Sequence, residues 1–98
     1  MSFDKTYNVT SLRHPDKVYA SADDFWADHE PEVTNAANAN AAFKADGRII
    51  SMTSTLNEDG KSLTFTKVFF DEEAWQEFRA EHVAAVTENL TVCNFTPI

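Results

Sequence analysis

The side chains with the widest chemical use in this 98-residue sequence are three histidines, His14, His29 and His82. Two histidines that bind a metal from one helix need i and i+4 spacing. These three fall on different predicted elements, so we predict neither a metal site nor a cofactor. His82 lies on a predicted apolar helix stripe, where it is either a hydrogen-bonded core residue or a general base facing a pocket, because imidazole titrates near neutral pH. His29 is near Pro31 and is expected to bond a carbonyl that a helix kink leaves free.

The rest of the composition limits other chemical sites. Gly47 and Gly60 are the only glycines, and their separation excludes a glycine-rich phosphate loop and a nucleophile elbow. Cys93 is the only cysteine, so an internal disulfide and a thiolate metal cage are both excluded, and we expect it in the core. An acidic edge on the first predicted helix is interpreted as a solvated face or, alternatively, as a weak divalent-cation site. It consists of Asp23, Asp24, Asp28, Glu30 and Glu32.

The charge balance excludes several classes of partner. Sixteen Asp and Glu face eight Lys and Arg, for a formal net charge of -8, and the basic residues are scattered singly. Direct binding to nucleic acid or to an anionic membrane is therefore not expected. No apolar run reaches the roughly 18 residues of a membrane span, and the N-terminal residues lack a secretory apolar region. We therefore expect a cytoplasmic protein.

Hydrophobic periodicity predicts the element order β-α-β-β-α-β in a single α+β domain over residues 1–98. The predicted strands cover 3–12, 48–56, 62–70 and 91–96. One helix covers 21–46, with a kink or restart that places Pro31 near the first turn of its second piece. The other helix follows Asp71 and ends near Asn89. This order is typical of the ferredoxin-like fold, a four-stranded antiparallel sheet with two helices on one face.

Alternation within the strands separates two faces of the predicted sheet. One set is large and apolar and should face the helices: Tyr7, Val9, Ile50, Met52, Leu56, Leu63, Phe65, Phe69, Cys93 and Phe95. The hairpin loop at 57–60 predicts Met52 opposite Phe65 and Ser54 opposite Leu63. The other set holds only Thr, Ser and Asn: Thr6, Asn8, Thr10, Ser51, Thr53, Thr55, Thr64, Thr66, Asn94 and Thr96. A face in bulk water normally carries charges, so this set predicts an oligomer interface or a polar cavity between two sheets; a solvated, Thr-rich sheet is the alternative.

The stretch 63–81 carries a resemblance to a known family. A hydrophobic strand leads into Phe70-Asp71-Glu72-Glu73-Ala74-Trp75-Gln76-Glu77-Phe78, a short acidic cap followed by Glu-Ala-Trp and Phe. Together with the element order, this resembles the dimeric α/β-barrel superfamily of antibiotic-biosynthesis-monooxygenase-like proteins. The resemblance implies two sheets packed face to face, with ligands between sheet and helices or in the lumen. Haem-degrading relatives use an Asn on the first strand with a Trp and a His from the second-helix region; the corresponding residue types here are Asn8, Trp75 and His82.

Two functions follow as hypotheses. The first is a homodimer of the α/β-barrel type, joined through the Thr/Ser/Asn face, that binds a small organic ligand. The alternative is a cofactor-independent oxygenase or isomerase of the antibiotic-biosynthesis-monooxygenase type, in which His82 is the base and Asn8 or Tyr7 orients the substrate between sheet and helices. A minor third hypothesis, that the Thr-x-Thr pairs bind an ordered surface or a sugar, is disfavoured by the twist of sheets.

Overall fold

The described part of the chain forms four strands and four short helices. The computed structural model describes residues 2–98, apart from the side chains of residues 85 and 89. In chain order the elements are β1 (Phe3–Ser11), α1 (Ala22–Ala27), α2 (Thr34–Ala45), β2 (Ile49–Leu56), β3 (Ser62–Phe69), α3 (Glu72–Glu81), α4 (Val83–Asn89) and β4 (Cys93–Pro97). The predicted α+β class is confirmed, and the strands form one antiparallel sheet in the order β2-β3-β1-β4.

The two central strands of this sheet are β1 and β3. Because β3 runs antiparallel to both β1 and β2, β1 and β2 are parallel to each other with β3 between them. In the same way, β3 and β4 are parallel with β1 between them. Each helical segment of the chain therefore connects two parallel strands that are not neighbours in the sheet.

Strand register confirms the predicted separation of the two faces. Thr6 pairs with Thr66 and Asn8 with Thr64, while Tyr7 pairs with Phe65 between them. We call the Thr/Ser/Asn side the open face; it comprises Thr6, Asn8, Thr10, Ser51, Thr53, Thr55, Thr64, Thr66, Asn94 and Thr96. We call the opposite side the helix face, because its residues pack against side chains of α1, α2 and α3 in two hydrophobic clusters.

The predicted pairing across the hairpin is wrong by two positions. Met52 lies opposite Lys67, and Ser54 lies opposite Phe65. The difference arises because the Asn57 N–H donates to the Ser62 carbonyl at 2.9 Å, which makes 58–61, rather than 57–60, the turn that this bond closes. The Asp59 carboxylate accepts hydrogen bonds from the backbone N–H groups of residues 61 and 62 at 2.9 and 3.2 Å, and these bonds fix the turn one residue later in the chain.

Ile50 was predicted to face the helices, and this is also wrong. A bulge in β2 between Ile49 and Ser51 interrupts the pairing with β3. An extra residue in one strand changes which side chains point to a given face. Ile50 is consequently 51% exposed, and Ile49 takes the buried position on the helix face.

Each predicted helix is divided into two. Ser21 caps α1 as expected, since its Oγ accepts from the backbone N–H of Asp24, and Asp71 caps α3 by accepting from Ala74. The chain restarts as a helix after Pro31 as predicted, but Pro31 lies in the turn before α2 rather than in its first turn. The second division, at His82, has φ −124°, and neither glycine nor proline marks it in the sequence.

The core consists of two clusters side by side on the helix face. The first is built around Val9, Phe25 and Leu63, and the second around Phe43, Phe69 and Phe78. Cys93 is fully buried in the first cluster, as predicted. No helix within residues 2–98 combines the length and the apolar character needed to cross a bilayer.

Candidate ligand site

The three residues predicted to form a catalytic site do not share one surface. Tyr7 lies on the helix face, but Asn8 lies on the open face, where its Oδ1 accepts a 3.1 Å hydrogen bond from Asn57. His82 lies between α3 and α4, with its ring centroid 5.3 Å from that of Phe43 and 5.2 Å from that of Phe78. Asn8 is therefore separated from His82 by the sheet itself.

His82 lines an open groove between α2 and α4. The groove has a volume of about 440 Å³ and is lined by Asn35, Asn38, Ala39, Ala42, Glu81, His82, Ala84 and Glu88. Across it, the Asn35 amide donates to the Glu88 carboxylate at 2.8 Å. The groove has room for a small molecule beside the imidazole, but neither Tyr7 nor Asn8 lines it.

An aromatic platform covers the centre of the helix face. It consists of Tyr7, Trp26, Phe65 and Phe95, all of which are half-buried. The Trp26 ring lies 5.8 Å from Phe65 and 6.2 Å from Phe95, and Tyr7 meets Phe95 edge-on at 6.0 Å. Trp26 is held in place because its Nε1 donates to Ser54 Oγ at 3.1 Å. The platform thus presents partly exposed ring surface on the helix face, beside the first hydrophobic cluster.

Three cations gather beside this platform. Lys5 and Lys67 are directly opposite each other on β1 and β3. Lys5 Nζ is 4.3 Å from the Trp75 ring centroid, and the Arg79 guanidinium is 4.9 Å from the same ring. We call Lys5, Lys67 and Arg79 the cationic cluster. Its charge reaches the platform, because Arg79 opposes the rise that burial causes in the pKa of Tyr7.

Lys67 is the buried member of the cationic cluster. It is only 9% exposed, and its Nζ lies 4.1 Å from the centroid of the Phe78 ring. One hydrogen bond is formed, to Asn40 Oδ1 at 2.6 Å, and within residues 2–98 no carboxylate lies within ion-pair distance of it. Burial disfavours the charged form and lowers the pKa of Lys67 to about 8.

The platform and the cationic cluster together offer defined chemistry. Half-buried rings bind apolar and planar groups. Ammonium and guanidinium groups bind anions, and Lys67 with a pKa near 8 is also able to act as a base at mildly alkaline pH. This arrangement suits a small organic molecule more than it suits a metal ion.

Strand parity and helix spacing in the sequence indicate this site, although the composition does not. The cations appeared scattered, yet Lys67 lies between Phe65 and Phe69 with the same parity, which places it on the helix face. Lys5 has the parity of Tyr7 for the same reason. Arg79 follows Trp75 by four residues, which brings the two together on one side of a helix.

A buried pair formed by His29 and Ser11 is structural. His29 Nδ1 donates to the Phe25 carbonyl at 2.5 Å, which confirms the expected bond to a freed carbonyl, and Ser11 Oγ lies 2.7 Å from Nε2. His29 is 0% exposed and Ser11 is 5% exposed. No substrate can reach the Ser11 hydroxyl at this buried position. The two bonds of His29 instead connect the end of β1 to Phe25 of α1.

The predicted acidic edge is partly used to hold loops. Asp28 accepts from Tyr19 at 2.6 Å and from Lys17 at 3.0 Å, and these bonds lower the pKa of Asp28 to about 2. Glu32 pairs with Arg13 at 2.6 Å. Among the residues that the structure describes, no group of three or more His, Cys, Asp or Glu side chains is arranged to hold a metal.

Comparison with known proteins gives no further assignment. No family model, curated protein or solved structure matches this chain. The geometry of the two sheet faces is therefore what bears on function.

Proposed function

We propose that this chain is a homodimeric α/β-barrel protein that binds a small organic ligand between its sheet and its helices. The fold part of the proposal, a ferredoxin-like member of the dimeric α/β-barrel superfamily, is supported by two interleaved connections between parallel strands. It is also supported by the cap and helix that follow β3, the stretch that carries the resemblance. A cytoplasmic location remains part of this proposal.

The open face is the observation that carries the homodimer. Its ten Thr, Ser and Asn side chains are uncharged in a chain of net charge -8. The strand register also places Asp4, opposite Val68, at one end of this side, so two copies approaching through it bring few like charges together. Some of its polar groups already bond each other, as Thr6 and Thr66 do at 3.1 Å. Hydroxyl groups tolerate burial when they find partners, and a second open face offers such partners.

The ligand part of the proposal depends on the aromatic platform. On the helix face, the first cluster is closed by α1 and the second by α2 and α3. The four platform rings pack against the first cluster and stay half-buried. Aromatic side chains commonly line small-molecule sites.

An enzymatic role is supported by one observation. Lys67 has a lowered pKa near 8 and lies on the same sheet face as Tyr7, a combination typical of acid–base sites. An isomerase or a cofactor-independent oxygenase would use this pair in preference to His82 with Asn8, because those two are on opposite sides of the sheet.

Light scattering tests the homodimer. We expect a mass of twice the 11.0 kDa chain at micromolar concentration. Thr53 and Thr66 are opposite each other on the open face, and the double variant Thr53→Arg/Thr66→Arg places two cations there and should be monomeric. Thr87→Arg, at an exposed position of α4, is the matched control and should stay dimeric. A monomeric wild type, or a double variant that remains dimeric, contradicts the proposal.

A further inference from the structure

We propose that the cationic cluster of Lys5, Lys67 and Arg79 binds the carboxylate of a small aromatic acid, with its ring on the neighbouring aromatic platform. The inference deepens the proposed function and rests on it, since it names the class of ligand held between sheet and helices.

Within the described residues, the cationic cluster has no counter-charge at ion-pair distance. Lys5 and Lys67 are a directly opposed pair across two strands, and like charges in such a pair are destabilising. The sequence has twice as many acidic as basic residues. Even so, the ion pairs found in the described part of the chain involve none of the three cations. A bound carboxylate removes this repulsion.

Rings position the cations and leave their donors free. Lys5 Nζ and the Arg79 guanidinium both lie against the Trp75 ring, and Lys67 Nζ lies against the Phe78 ring. Cation–π contacts of this kind use the face of a ring and consume no N–H donor. An ammonium has three donors, and Lys67 uses one of them on Asn40. Donors therefore remain for both oxygens of a carboxylate.

The access to the cluster and its spacing from the platform also suit one small ligand. Lys67 forms the buried floor of the cluster, whereas Lys5 is half-buried and Arg79 is exposed. Tyr7 follows Lys5 by two residues on the same face, a separation of about 7 Å along a strand. That separation is comparable to the length of benzoate, so one molecule is able to contact the cluster and the platform together.

Calorimetric titration of the full chain with three probes tests this inference. The probes are benzoate, its neutral analogue benzamide, and acetate, which has the charge without the ring. We expect benzoate to bind at least tenfold more tightly than either of the others. We also expect its affinity to fall at high salt and to fall above pH 8, where Lys67 loses its proton.

Variants assign the effect to the cluster. Lys67→Met and Lys5→Met should each weaken benzoate about tenfold and leave benzamide unchanged, while Lys61→Met, at an exposed loop position, should change neither. Equal affinity for benzoate and benzamide, or for benzoate and acetate, overturns the aromatic-acid assignment, as does the absence of any binding. Benzamide binding with no preference for benzoate would leave a sheet–helix ligand site intact, and light scattering judges the homodimer separately.

Discussion

Replacing Lys67 with methionine should make the protein more stable at pH 7 and less stable at pH above 10. Methionine has a similar length and no charge, so the change removes a buried ammonium without opening a large cavity. The side chain is 9% exposed, and its surroundings are the Phe78 ring and the Asn40 amide. The sign of the effect depends on whether the desolvated charge costs more than these two contacts contribute.

The magnitude follows from the lowered pKa. A fall from 10.5 to about 8 corresponds to about 3 kcal/mol of cost for the charged form, at 1.36 kcal/mol for each unit. This cost is a net value that already includes the contact between the ammonium and the Phe78 ring, so methionine additionally forgoes only the hydrogen bond to Asn40, about 1 kcal/mol. The net gain at pH 7 is about 2 kcal/mol, or roughly 10 °C in Tm for a chain of this size.

The pH dependence is the sharper measurement. Between about pH 8 and 10.5 the unfolded wild type binds a proton at Lys67 that the folded state has lost, so its stability rises with pH. The variant lacks this rise. Above pH 10 the neutral lysine keeps its bond to Asn40, and the wild type should become the more stable protein by about 1 kcal/mol.

Urea unfolding at a fixed protein concentration, followed by tryptophan fluorescence from pH 6 to 10.5, measures the difference between the two proteins. Lys61→Met serves as the control and should show a difference close to zero at every pH. The reasoning is refuted if Lys67→Met is destabilised at pH 7 and the difference from the wild type stays constant with pH.

Three further predictions use the same unfolding assay. Gly60→Ala should lower the free energy of unfolding by about 3 kcal/mol, because Gly60 has φ +69° and an added Cβ would lie 2.6 Å from a neighbouring side chain. Gly47→Ala is the control. Because Gly47 has φ +86° but open space around it, this change should lower the free energy of unfolding by only about 1 kcal/mol. Ser11→Ala should cost about 2 kcal/mol, because it leaves His29 Nε2 buried without a partner. In acid, the wild type should lose stability as the pH falls from 3.8 towards 2, since the pKa of Asp28 is lowered on folding, and Asp28→Asn should lack this part of the loss.

Much of the sheet was predictable because strand alternation is a short-range property. The parity of Thr64 and Thr66 against Phe65 assigns both faces without knowledge of the fold, and the structure confirms it. The strand register was harder to predict, since it depends on which backbone N–H groups of the 57–62 segment donate to the Asp59 carboxylate. A shift of one residue in the loop moves every cross-strand pair.

The candidate site was less predictable because its residues are distant in the sequence and come together only in the folded chain. The divided helices follow from packing rather than from a breaker residue at position 82. The gathering of Lys5, Lys67 and Arg79 depends on the pairing of Lys5 with Lys67, 62 residues later in the sequence, and on the placement of α3 above them. Parity places the two lysines on one face, but only the strand register makes them neighbours.

Stability alone does not account for a lysine at position 67. A methionine there fits the same space and, by the reasoning above, yields a more stable fold at neutral pH, so the ammonium is a feature that folding does not require. The same position gains a purpose once an anion is present, because a carboxylate supplies the counter-charge that the 16 acidic residues of the chain do not. Sites that bind or react commonly retain such a trade-off between stability and activity. If Lys67→Met gains stability and loses benzoate binding together, the two measurements identify one cause; if it gains stability and still binds benzoate normally, the lysine has another role.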